Sequence, residues 1–233
     1  MTLDALSGTF RLDRSRNATV QVYEHLRQLI VELQLKPATV LPRAQLTDYF
    51  GLSYTPIRDA LARLDDERLV EIFPQHLTRV RAIDLNSARQ AHFLRVSVEL
   101  EMVRLLAQAP NPELERSLLA LVAQQQASLG ADDLASFTAA DQAFHRRMYG
   151  AAGLGELWDV VRNLSGNLDR LRRLHLPLNN KARSIIDQHD EIARAIGQGD
   201  AARAQEAVRT HLSGTLSELD ALRDQYPDYV LRT

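Results

Sequence analysis

The sequence predicts a mainly α-helical protein in two parts, the first carrying one short β-hairpin and the second helical throughout. Three observations predict it. Apolar side chains recur at helical spacing along most of the chain, and β-branched or apolar runs of strand length are confined to residues 69–83. Only ten glycines interrupt 233 residues. Beyond residue 84 the breaks between periodic segments are short, as they are where antiparallel helices are joined by tight turns. With 45% hydrophobic and 25% charged residues, the composition is that of a globular chain rather than a disordered or fibrous one.

Composition also excludes several classes of function. The net charge is −2, with eleven basic against ten acidic side chains before residue 83 and seventeen against twenty after it. Neither part is a polybasic binder, so contacts to nucleic acid have to come from local placement of a few cations. No apolar run approaches the ~20 residues of a membrane span, and the polar N-terminus lacks the apolar segment of a secretory signal. The absence of cysteine removes disulfides, thiolate metal sites and cysteine nucleophiles together. The expected location is cytoplasmic.

Residues 1–17 read as a flexible arm. From Ala18 the series Val20, Tyr23, Leu26, Leu29, Ile30 and Leu33 has helical spacing and closes near Lys36-Pro37. A short helix follows over 43–50 and stops at Gly51. Ser53 then stands at the N-cap position of a further helix, with Pro56 in its first turn and Ile57, Leu61 and Leu64 on one face, running to about Glu67. The runs 69–73 and 78–83 flank Pro74-Gln75-His76-Leu77 and read as a hairpin. Helix, helix, tight turn, helix, hairpin is the order of a winged helix-turn-helix, placed at 18–82. From 84 to 223 we expect an antiparallel α-helical bundle of about six helices, over 84–108, 113–129, 132–150, 154–175, 182–198 and 200–222, with a tail at 224–233.

A helix-turn-helix presents the start of its second helix to the major groove. That stretch offers Ser53, Tyr54, Thr55 and Arg58, where hydroxyls suit phosphates or base edges and the Arg58 fork suits guanine O6 and N7. His76 and Arg79 at the hairpin are placed to reach the minor groove or its phosphates. The segment Leu52-Ser53-Tyr54-Thr55-Pro56-Ile57-Arg58-Asp59-Ala60-Leu61, with Arg63-Leu64 and Leu69-Val70, resembles the recognition-helix signature of GntR-type transcription regulators, and 74–80 resembles their wing. The resemblance implies that Ser53, Thr55 and Arg58 contact DNA. Three positions depart from the family pattern. Tyr54 stands where arginine is common, Ala44 where the preceding helix has arginine, with Arg43 next to it, and Leu77 where the wing has glycine.

The second constellation is acidic and imidazole. Asp141 and His145 are four residues apart, about 40° apart around a helix axis, and share a face with Phe137, Phe144 and Met148. His189 lies among Ile185, Ile186, Ile192 and Ile196, and His211 lies beside Val208 and Leu212 on the next helix. A lone histidine on an apolar face is usually a satisfied core residue. Four such groups on three helices, unpaired, would cost several kcal/mol, and one divalent cation satisfies them together. Imidazole and carboxylate suit Zn, Ni, Mn or Fe.

The same stretch, Asp141-Gln142-Ala143-Phe144-His145, then His189, then residues 195–200 and His211-Leu212, resembles the FCD ligand-binding domain of the FadR-like branch of GntR regulators. The resemblance implies a metal held by Asp141, His145, His189 and His211 beside a cavity for a small carboxylate. Arg95 and Glu99 match the arginine and glutamate of that domain's first helix. Arg95 is then a candidate effector clamp, an i,i+4 ion pair with Glu99 being the alternative. Asn167 is a further candidate for the effector cavity, and Arg170, Arg172 and Arg173 read as a solvated face.

The expectation is therefore a repressor that binds a pseudo-palindromic operator in double-stranded DNA as a homodimer and answers to a small carboxylic acid. A regulator for which the ion itself is the signal is the alternative. A metal-dependent hydrolase would use the same four residues to activate water, but no separate general base shares their face and the N-terminal half would have no role.

Overall fold

The computed structural model describes Leu6 and residues 10–74, 76–178 and 180–231. Gln75 of the expected wing tip, Asn179 of an expected break, and residues 1–5 and 7–9 of the expected arm lie outside the described residues, as do 232–233 of the tail. The chain divides into two compact units. The first gathers the described residues of Met1–Ala88, Leu164–Arg173 and Asp220–Thr233, and the second Arg89–Asn163 and Leu174–Leu219.

The first unit is built on α1 (Ala18–Val31), α2 (Arg43–Phe50), α3 (Tyr54–Asp66), β1 (Val70–Phe73) and β2 (Leu77–Val80). Asn17 caps α1 by accepting from the Val20 amide. The helix ends earlier than the apolar spacing suggests, because Leu33 takes a left-handed conformation (φ 61°) and turns the chain. Gly51, also left-handed (φ 60°), ends α2, a geometry natural to glycine. Ser53 holds the N-cap position of α3 in extended backbone, but its side chain makes no capping hydrogen bond. At the other end of α3, Arg68 in the left-handed region (φ 57°) directs the chain into β1. The two strands pair antiparallel, with Val70 opposite Val80 and Phe73 opposite Leu77. Leu26, Ile30, Leu46, Ile57, Leu61, Leu64 and Leu69 form the buried core that holds these elements together.

Two distant segments complete this unit. Gly166 lies so close to Leu69 that a Cβ there would come within 2.8 Å of its Cδ2. The tail folds back, with Val230 bridging Ile83 in parallel and the Ile83 amide donating to the Tyr229 carbonyl at 2.7 Å. Phe10, within the expected arm, packs edge-on against Phe50 at a centroid separation of 5.1 Å and donates its amide to the Tyr49 carbonyl.

The second unit takes most of α4 (Leu85–Gln108), with α5 (Pro112–Gly130), α6 (Leu134–Ala151), α7 (Gly155–Leu164), α9 (Lys181–Gly197) and α10 (Ala201–Leu216). Asn111 with Pro112 opens α5, and the Asp133 carboxylate accepts two amides at the start of α6. α5 packs on α6 and α9, and α9 on α10, around Met102, Leu118, Phe137, Phe144, Ile192, Ile196 and Val208.

Two expected helices are each broken. The helix expected over 154–175 splits at Ser165 into α7 and α8 (Gly166–His175). A Ser-Gly pair is a common break point, and here the glycine is required for the approach to Leu69. The helix expected over 200–222 ends at Leu216, and α11 (Leu219–Gln225) follows. The Ser217 hydroxyl donates to the Gly214 carbonyl at 3.2 Å, a local bond that competes with the helical ladder.

Candidate DNA-reading face and buried histidine cluster

The turn between α2 and α3 brings together the first set of expected site residues. Ser53, Thr55 and Arg58 are exposed on the N-terminal part of α3, and Arg43 is exposed at the start of α2. The Arg43 guanidinium lies over the Tyr54 ring, 4.1 Å from its centroid. The phenol that replaces the usual arginine thus holds a cation from the neighbouring helix at the same end of α3. Arg58 rests on its neighbour Asp59 at 3.0 Å, both side chains well exposed. On the hairpin, Arg79 pairs with Glu71 at 2.8 Å and lies over the Phe73 ring, while His76 is exposed. Exposed pairs of this kind are weak, so phosphates can displace both carboxylates.

The second set converges in the interior of the helical unit. Asp141 and His145 come from α6, His189 from α9 and His211 from α10, and none is more than 5% exposed. One ligand atom from each lies within 4.8 Å of all the others. Nε2 of His211 is 3.2 Å from Nε2 of His145 and 3.3 Å from Nε2 of His189, whose Nε2 is 3.8 Å from Oδ1 of Asp141. Phe144 stacks on His189 with its ring centroid 4.1 Å away and nearly parallel.

Each imidazole is held from behind by an oxygen. Nδ1 of His145 faces Oε2 of Glu99 at 3.1 Å, Nδ1 of His189 faces Oε1 of Gln125 at 2.8 Å, and Nδ1 of His211 faces Oε1 of Gln188 at 3.3 Å. A carboxylate or amide oxygen only accepts, so a ring that donates to it from Nδ1 turns a lone pair on Nε2 toward the other two. Three lone pairs converging without a cation repel. A metal bound through imidazole at 2.0–2.1 Å spaces adjacent donors by about 3.0–3.4 Å, which matches the two separations at His211, while His189 and Asp141 stand wider apart at 3.8 Å. The donor set therefore fits a divalent ion.

Glu99 is fully buried and also accepts from the Arg95 Nε at 2.8 Å. Burial alone would push its carboxyl up, but the Arg95 guanidinium, with His145, holds it well below the usual carboxylate range. The i,i+4 ion pair, the alternative for Arg95, is thus present. Burial, with the Glu99 charge, raises the neighbouring Tyr149 phenol.

Asn167, a candidate for the effector cavity, belongs to the first unit, where its Oδ1 accepts from the Asp84 amide at 3.0 Å and from Arg170 at 2.6 Å. One expectation is corrected: Arg170 is not solvated. It is fully buried and donates to the Arg81 and Ala82 carbonyls at 2.7 and 3.4 Å. The sequence reading missed Gln125 and Gln188. Gln125 follows Val122 by three residues and Leu118 by seven, so its place on an apolar face was a usable signal. Gln188 carries none.

A winged helix-turn-helix joined to a helical domain with a buried His/Asp cluster defines a DNA-binding transcription regulator rather than an enzyme. Residues 18–80 match the bacterial regulatory proteins of the gntR family and residues 90–214 match the FCD domain, a domain that can bind metals. An uncharacterized HTH-type transcriptional regulator in an unstable DNA locus of Streptomyces ambofaciens is 35% identical over 89% of this chain and 87% of its own length. The HTH-type transcriptional repressor RspR of Escherichia coli (strain K12) is 25% identical over 94% and 96%. The solved structure of E. coli McbR/YncC superposes with a TM-score of 0.75 over 91% of this chain and 99% of that one, a likeness of fold at 19% identity. The chain belongs to the gntR family of bacterial regulatory proteins and carries an FCD domain.

Proposed function

We propose that this chain is an effector-responsive repressor acting in the cytoplasm, with residues 18–82 as DNA reader and 84–223 as sensor. In this reading Asp141, His145, His189 and His211 hold one divalent ion, Zn, Ni, Mn or Fe, and a small carboxylate completes the coordination and engages Arg95. Ser53, Thr55, Arg58 and the stacked Arg43–Tyr54 pair contact the major groove, and His76 and Arg79 reach past its edge. Two copies read a pseudo-palindrome, because one winged module makes too few contacts for useful specificity. The single observation that carries the sensing half is the convergence of three Nε2 atoms, with His211 at 3.2 and 3.3 Å from its neighbours. A relative named as a repressor supports the direction of control.

Ligand and operator communicate only if the ligand binds two conformations unequally. The test begins with selection of bound duplexes from a random pool at about 150 mM salt, where non-specific binding is weak. Affinity for the enriched duplex is then measured with metal-loaded protein, with and without small carboxylic acids. A pseudo-palindrome whose affinity changes with an acid is the expected result, and no enrichment or no acid dependence contradicts the reading.

One observation favours a second reading, in which the ion alone is the signal. The Arg95 Nε is already engaged by Glu99, whose other oxygen faces a ligand histidine. Operator affinity that switches on adding metal, with no further response to any acid, selects this reading.

A further inference from the structure

Behind each imidazole of the cluster stands one oxygen-bearing side chain, and the three supports differ in where they lead. Glu99, behind His145, and Gln125, behind His189, are fully buried. Gln188, behind His211, is half-buried and lines a cleft of about 580 Å³ between α9 and α10. The contacts that run outward from His145 and His189 therefore end in the core, and those from His211 end at solvent.

The wall between this cleft and the cluster is two side chains deep. Oε1 of Gln188 lies 3.3 Å from Nδ1 of His211, and Nε2 of the same histidine faces His145 and His189. The Gln188 carboxamide is loosely held. Its oxygen contact is long for a hydrogen bond, and its nitrogen donates at 3.1 Å to the Ser184 hydroxyl, one helical turn back and itself at the cleft. A side chain with one face in water changes rotamer within about nanoseconds. The lining also favours cations. Asp187, Glu191 and Glu206 stand against Arg183 and Arg203, and Arg203 is tied to Glu191. An excess of carboxylate raises the local concentration of a hydrated divalent ion.

We propose that the cleft between α9 and α10 is the entry site through which a hydrated divalent cation reaches the cluster, and that Gln188 is its gate. The proposal rests on the metal reading of the four residues and adds the route to them. With the Gln188 oxygen swung into the cleft, the His211 ring loses the contact that fixes it and can turn Nε2 to the arriving ion. Return of Gln188 closes the wall. A blocked route raises the barrier and leaves the end states alone, so uptake and release slow by one factor and affinity stays the same. Loss of a mere support for His211 would weaken affinity through faster release.

The test follows Co(II) in the full-length protein by stopped flow, its visible absorption reporting uptake and transfer to a chelator reporting release. The chain has no cysteine, so a single thiol introduced by Glu206→Cys, on the α10 wall of the cleft, can be capped with a bulky maleimide. The same cap on Ala120→Cys, exposed on α5, is the control. Capped Glu206→Cys is expected to take up and release Co(II) about tenfold more slowly, by one factor in both directions. Capped Ala120→Cys behaves as wild type. Gln188→Ala leaves the wall open and takes up Co(II) about tenfold faster, whatever the lost support does to release.

Uptake by capped Glu206→Cys at the rate of the control overturns the cleft as the entry site. Slower uptake with unchanged release overturns it as well, because the cap then weakens the site rather than blocks the route. Uptake by Gln188→Ala at the wild-type rate overturns the gate and leaves Gln188 as a support for His211 alone. Wild type that binds no Co(II) overturns the metal reading and, with it, this inference.

Discussion

Oε2 of Glu99 lies 3.1 Å from Nδ1 of His145, and the other oxygen of the same carboxylate accepts from Arg95. One buried carboxylate on α4 thus orients an imidazole on α6 and neutralises a guanidinium one helical turn away.

The first prediction concerns that carboxylate. Glu99→Gln can no longer accept from both partners, and metal affinity should fall about 10–100-fold, the usual effect of losing such a support. Competition against a chromophoric chelator measures it. Glu99→Ala additionally removes the buried carboxylate to which the Arg95 Nε donates, and should destabilise the metal-free protein by about 3–5 kcal/mol. An affinity within twofold of wild type in Glu99→Gln would remove Glu99 from the account.

The second concerns the pair at the start of α3. If Arg43 is a phosphate or base contact held by Tyr54, Arg43→Ala should reduce the salt dependence of DNA binding by about one ion. Tyr54→Phe keeps the ring face and should bind like wild type, whereas Tyr54→Ala should lose about 0.5–1 kcal/mol. Titrations at two salt concentrations check all three. Equal losses in Tyr54→Phe and Tyr54→Ala would assign the effect to the hydroxyl instead.

Arg170 supplies the third. It is fully buried and bonds two backbone carbonyls and the Asn167 side chain. Arg170→Ala should therefore lower stability by about 3 kcal/mol or more, because several buried acceptors lose their donor at once. Urea unfolding reads the change directly. A loss below about 0.5 kcal/mol, typical of a surface substitution, would mean that solvent replaces the guanidinium.

A fourth prediction is a pH dependence that does not involve the candidate metal ligands. Burial lowers the pKa of His25, His92 and His175 from the ordinary 6.5, with repulsion from Arg95 adding to it for His92 and from Lys181 for His175. Near that pH the unfolded chain takes up protons that the folded chain refuses, so stability is fully present above 6.5 and is lost as pH falls through it. In the presence of a chelator, the melting temperature should drop between about pH 8 and about pH 5.5. The drop should be smaller in His25→Gln. A flat profile contradicts the burial argument.

The parts of the fold that were legible are those with local signals. Gly51, Pro56 and the sequence Pro110-Asn111-Pro112 mark element ends through backbone chemistry that needs no distant partner. The break between α7 and α8 was not legible, because Gly166 is required by Leu69, almost a hundred positions earlier in the sequence. The same distinction divides the site. Asp141, His145, His189 and His211 stand out as polar groups on apolar helical faces. Arg170 was misread because it bonds the backbone of residues 81 and 82, which helical periodicity does not reveal. Gln125 carried the same signal as the histidines but sits within three consecutive glutamines.

The central claim is that the buried cluster is a metal centre, and equilibrium dialysis against Zn(II) tests it most directly. Bound metal is counted per chain for wild type and for His189→Ala. The account predicts one ion per wild-type chain and a loss of about 100-fold or more in affinity for the variant, as expected when an inner ligand is removed. Wild type that retains no ion, or a variant that binds as tightly as wild type, would contradict it.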